Sequence, residues 1–199
     1  MKKIPFILIL SRIFIALLIA FITLLKVKNI EYWIVFLISI GLLTDVFDGI
    51  IARKLNVATK KLRIWDSNAD QLFWIISIVC IFYLNFTFLK ENYIPISFVI
   101  FLELLCYMIS FFKFKKTIAT HSILAKFWTI SLLIFLIDLT LNNSSNISFW
   151  TCIVLGIISR IEILLIILFL KKWTTDVPSI FVVSKINKGI PFKKNSLFN

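Results

Sequence analysis

The chain has 199 residues, of which 60% are hydrophobic, with a mean hydropathy of +1.00 and a formal net charge of +12. A soluble domain of this size has too little interior to hide so much apolar surface, which excludes a water-soluble enzyme or binding module and indicates an integral membrane protein. The basic residues are spread over several loops instead of forming one stripe, so nucleic acid is not an expected partner.

Six apolar runs are long enough to cross a bilayer: 5–25, 32–52, 64–84, 94–112, 122–141 and 149–170. They are continuous and lack period-2 alternation, which predicts helices and not a closed barrel. The fold class is therefore all-α, an integral membrane bundle of six transmembrane helices. Lys2 and Lys3 precede the first run in the manner of a signal peptide, but Arg12 interrupts it and no small-x-small site follows, so it reads as a retained first helix. Lysine and arginine set the orientation. With the N-terminus in the cytoplasm, only Lys26, Lys28 and Lys90 face outward and Arg12 and Arg160 lie within helices; the rest of the 22 fall on cytoplasmic segments. Both termini are thus expected in the cytoplasm, against anionic lipid. Residues 1–172 form the expected six-helix catalytic domain. Residues 173–199 form a basic tail, either interfacial or disordered. Cys80, Cys106 and Cys152 all fall within helices without metal-type spacing and read as small buried apolar residues.

Four of the ten acidic residues lie within 26 positions, at Asp45, Asp48, Asp66 and Asp70. The first pair ends the second run and the second pair begins the third, on either side of a short cytoplasmic loop. Residues three or four apart share a helix face, so the two pairs can converge across the hairpin at one depth. An aspartate at the centre of a membrane helix costs about 2.5–3.5 kcal/mol, less near the interface, and like charges add repulsion. Something cationic must offset this, and Arg53 alone is too little for four anions. Oxygen-only ligands favour Mg²⁺ or Mn²⁺ over zinc, and four carboxylates suffice for a pair of ions, an arrangement common in phosphoryl transfer. Gly49 and Ala52 leave room for a ligand beside the Asp45/Asp48 face, and Arg53 offers planar recognition of phosphate.

The stretch from Asp45 to Asp70 resembles the signature of the CDP-alcohol phosphatidyltransferase family, D-x2-D-G-x2-A-R-x8-G-x3-D-x3-D. Asp45, Asp48, Gly49, Ala52, Arg53, Asp66 and Asp70 match with every spacing intact, and Leu62 stands where the signature has its second glycine. The resemblance implies transfer of a phosphatidyl or similar phosphoryl-alcohol group from a CDP-linked lipid, such as CDP-diacylglycerol, to a hydroxyl acceptor, with release of CMP, in phospholipid biosynthesis. It implies a metal site at Asp45, Asp48, Asp66 and Asp70, with Asp70 also the general base. It implies a CDP pocket lined by Asp45, Gly49, Ala52, Arg53 and Asp66, at the cytoplasmic face of a homodimer surrounded by membrane lipids. Activity is expected to survive Leu62, because all four acids remain.

Arg12 lies about 12 Å into the first helix at 1.5 Å per residue, near the depth of Asp48. It is a candidate acceptor ligand or, equally, an ion-pair partner of the acids. His121 and Lys126 begin the fifth run; each is an acceptor-binding candidate or an ordinary interfacial side chain. Arg160 and Glu103 make a reasonable structural ion pair or line the acceptor cavity. Glycerol phosphate, inositol, inositol phosphate, serine and choline-type alcohols all remain open as acceptors. Two other readings compete with the enzyme: a divalent-cation transporter using the same acids, and a catalytically weakened, lipid-binding relative. Transport would want polar residues continuing along the second and third runs, and these are mostly apolar beyond the acids.

Overall fold

The computed structural model describes residues 4–55, 59–116, 122–142, 146–174 and 177–190, apart from the side chains of Ala52, Arg53, Lys60, Lys61, Arg63 and Ile64. The elements in chain order are α1 (Ile4–Leu25), α2 (Ile30–Lys54), α3 (Lys60–Leu84), α4 (Phe86–Glu91), α5 (Tyr93–Phe114), α6 (Ile123–Asn142), α7 (Asn146–Phe169) and α8 (Ile180–Asn187). No strand occurs among the described residues. Among the described residues, six helices are long and apolar enough to span a membrane, one for each expected run. Their outward faces carry large apolar side chains such as Phe14, Phe21, Ile75 and Phe112, as lipid-facing helices require. α4 and α8 were not expected; they are too short for a periodic signal to stand out.

The chain divides into two compact units, residues 1–90 with 136–144, and residues 91–135 with 145–199. In the first, α1 is the spine and packs along both α2 and α3, which touch each other less. Its buried positions, Pro5, Ile9, Arg12, Ala16, Ile19 and Thr23, recur every three or four residues, so one face carries the whole seam. α2 answers with Ile34, Leu37, Ile38 and Gly41, and α3 with Ala69, Phe73, Ser77, Cys80 and Ile81.

At Gly41, α2 and α3 come very close. A Cβ built there would stand 2.3 Å from the Phe73 ring. Gly41 lies one turn before Asp45, and Phe73 three residues after Asp70, so this contact sets the helix spacing just beside the acids. Phe73 is buried, so its ring is held by neighbours on other sides as well. Gly41→Val should overpack the seam and cost about 1–3 kcal/mol, seen as a lower unfolding temperature in detergent.

In the second unit α7 packs on α5. Its buried stripe, Phe149, Cys152, Ile153, Gly156, Ser159, Arg160, Ile163, Ile166 and Ile167, again follows helical spacing. Arg160 sits in that stripe. Its Nε donates to Glu103 Oε2 at 2.6 Å, its Nη1 to Ser159 Oγ at 2.9 Å, and its guanidinium lies 3.6 Å from the Trp128 ring centroid. The expected Arg160–Glu103 pair is therefore formed, with an aromatic face as a further partner for the cation.

Candidate functional site

The acids occupy the same seam as the apolar residues before them. Continuing α2 from Ile38 and Gly41 in steps of three or four leads to Asp45 and Asp48. Running α3 backwards from Phe73 leads to Asp70 and Asp66. Both pairs thus turn toward α1, where the matching seam position is Arg12. α3 starts at Lys60, a turn earlier than its apolar run, because Thr59 caps it: Thr59 Oγ1 accepts from Leu62 N at 3.2 Å. The polar first turn extends the helix, so Asp66 and Asp70 lie roughly 9 and 15 Å along it.

Arg12 stands among all four carboxyl groups. Its Nη1 lies 3.1 Å from Asp45 Oδ1 and 3.2 Å from Asp66 Oδ1 and also pairs with Asp70, while Nη2 pairs with Asp48. Arg12 is 1% exposed and Asp48 3%, whereas Asp45, Asp66 and Asp70 are each about a third exposed. The site therefore has a closed floor and an open side. A buried guanidinium is tolerable only with anionic partners, and the acids are tolerable only with a cation; each offsets the other's desolvation.

The match is incomplete in a useful way. Three carboxylates crowd one nitrogen of the guanidinium, while its buried Nε has no hydrogen-bond partner. This is not the bidentate fork in which arginine binds a carboxylate best. One described cation also faces four acids. Carboxylate oxygens of Asp45, Asp48 and Asp66 all lie within 4.8 Å of one another. An all-oxygen donor set of this kind, short of positive charge, fits a hard divalent ion such as Mg²⁺ or Mn²⁺. Asp70 lies outside that set of three and meets it through Arg12 Nη1.

The remaining expected residues fall into place unevenly. Gly49 is half-buried directly after Asp48. The side chains of Ala52 and Arg53, and the whole of His121, lie outside the described residues. Lys126 is half-buried in the first turn of α6, in the second unit. Leu62 keeps ordinary helical backbone, so a glycine there is not demanded by conformation and would supply only space. With Phe6, Thr59 and Trp65, Leu62 lines a hollow of about 290 Å³. The Phe6 and Trp65 rings meet edge to face at 6.3 Å and 84°. Sequence reasoning missed both aromatics. The signal for Trp65 was available, since it is the neighbour of Asp66; Phe6 could be found only through the packing of α1 on α3.

No curated protein and no solved structure gives a significant match to the chain. A family model does match, over residues 2–158, and it is described as CDP-alcohol phosphatidyltransferase.

Proposed function

The chain belongs to the CDP-alcohol phosphatidyltransferase family, and from this premise we propose that it transfers a phosphatidyl or similar phosphoryl-alcohol group from a CDP-linked lipid to a hydroxyl acceptor, releasing CMP. The observation that carries the reading is the convergence of Asp45, Asp48, Asp66 and Asp70 around one point between three helices, at the spacing the family signature requires.

Asp45, Asp48 and Asp66 would hold divalent metal, Mg²⁺ or Mn²⁺, with Asp70 reaching a second ion of a pair. A divalent ion held there would supply positive charge against the phosphoryl oxygens and the CMP leaving group. Asp70, about a third exposed, takes the proton from the acceptor hydroxyl. The acceptor oxygen then bonds to phosphorus as the bond to the CMP oxygen breaks. Gly49, Ala52 and Arg53 line the CDP pocket with Asp45 and Asp66. Arg12, fixed in the floor, orients the carboxylates; it and Lys126, with His121, are the basic candidates for an acceptor phosphate. The distribution of lysine and arginine supports a cytoplasmic active site. The family resemblance supports a homodimer, which crosslinking in native membranes checks.

The test is CMP release from CDP-diacylglycerol by purified protein with Mg²⁺ or Mn²⁺ and a panel of labelled alcohols. A labelled lipid product with one of them supports the reading. No CMP release with any acceptor or metal overturns it. Leu62→Gly, which restores the signature glycine and removes a side chain from the hollow, should lower KM for the CDP-linked donor by roughly tenfold with kcat little changed.

A further inference from the structure

The segment after α7 has no part in that chemistry, yet it is built with care. α8 is capped by Ser179, whose Oγ accepts from Phe181 N at 3.3 Å. Val177 and Val183 are buried against Ile166 and Leu170, with Phe114, Ile180 and Ile186 around them. Asn187 bridges back to the end of α7: its Nδ2 donates to Phe169 O at 2.8 Å and its Oδ1 accepts from Lys171 N at 3.0 Å. Ile123 N donates to Pro178 O at 3.0 Å, which ties the strap to the start of α6. Lys113 Nζ donates to the Ile167 and Leu168 carbonyls and closes the other open groups at the end of α7.

These anchors place α8 against the end of α7, a helix long and apolar enough to span a membrane, which is where lipid head groups are expected. Its inward face is fully used. Its outward face is Phe181, Lys185 and Lys188, at i, i+4 and i+7, so they share one side of the helix. Phe181 is 87% exposed, and Lys185 and Lys188 are exposed beside it. Lys171 and Lys172 are exposed at the start of the strap. Residues 171–199 hold six lysines and a single acid, Asp176.

An aromatic ring with lysines around it, at the depth of the interface, is chemically matched to one surface. The ring enters the acyl boundary and the ammonium groups meet lipid phosphates. We propose that α8 is an interfacial strap whose Phe181–Lys185–Lys188 face docks on anionic lipid of the leaflet at which α7 ends.

The test uses the full chain in nanodiscs of phosphatidylcholine alone or with phosphatidylglycerol. A spin label is placed at Ser184→Cys, an exposed position next to this face; the three native cysteines are buried. Accessibility to oxygen and to a water-soluble nickel chelate reports depth. The label should gain oxygen and lose nickel accessibility in the anionic discs. Lys185→Gln with Lys188→Gln should abolish that difference, and Phe181→Ser should raise nickel accessibility in the anionic discs. Phe181 makes so little internal contact that its replacement leaves the anchors to α7 intact. Equal accessibility in the two compositions, or a full difference retained without the two lysines, overturns the proposal.

Discussion

Asp70→Asn should lower turnover by about a thousandfold, the range expected for loss of a positioned general base, while weakening manganese binding less than the loss of a carboxylate from the set of three does. The substitution keeps shape and removes the ability to accept a proton. Asp70 shares Arg12 Nη1 with Asp45 and Asp66, and it is about a third exposed, so an acceptor can reach it. Asp48→Asn provides the contrast. Asp48 is buried in the floor and belongs to the set of three, so its loss should weaken metal binding as well as turnover. CMP release and manganese binding measured on both variants separate the two roles. Full rate in Asp70→Asn removes the base assignment. Equal losses of metal affinity and of turnover in the two variants would leave Asp70 with the ligand role alone.

The sequence exposed the six spans because a bilayer leaves little choice: backbone groups must be satisfied within each segment, so long apolar runs become helices. It exposed the acid pairs because their spacings of three and four put each pair on one face. Depth was also readable, since the rise per residue placed Arg12 level with Asp48. Direction around the helix was less plain. The series Pro5, Ile9, Arg12, Ala16, Ile19 and Thr23 does put Arg12 on the packed face, but in an oily helix the outward residues are equally apolar and the stripe barely stands out. The sequence therefore leaves Arg12 equally an acceptor ligand or an ion-pair partner of the acids, and points to a divalent ion for the missing positive charge. The start of α3 was lost for a different reason. Lys60, Lys61 and Arg63 read as loop charges, whereas Thr59 caps them into a helix that projects beyond the apolar run. The fit of Gly41 to Phe73, and of Val177 and Val183 to the end of α7, depends on contacts between distant positions that no local pattern records.

Arg12→Gln should act in opposite directions on stability and on metal affinity. Without metal, the variant leaves four carboxyl groups facing one another, with Asp48 buried among them. Breaking such a buried ionic cluster costs about 3–5 kcal/mol, so the metal-free variant should unfold at a clearly lower temperature than the wild type. In the wild type, the guanidinium pairs with the same three carboxyl groups that would hold a divalent ion. Binding there must overcome that pairing. With glutamine the competition disappears, and manganese affinity should rise by roughly tenfold, equivalent to about 1.4 kcal/mol. Mn²⁺ should then recover most of the lost unfolding temperature, whereas Arg12→Lys, which keeps the charge but offers one nitrogen in place of two, should show smaller changes in the same directions. Calorimetric manganese titration and thermal unfolding with and without the ion give the answer independently of turnover. An unfolding temperature unchanged in the metal-free Arg12→Gln protein, together with unchanged manganese affinity, would mean that Arg12 is not the cation that holds the four acids together.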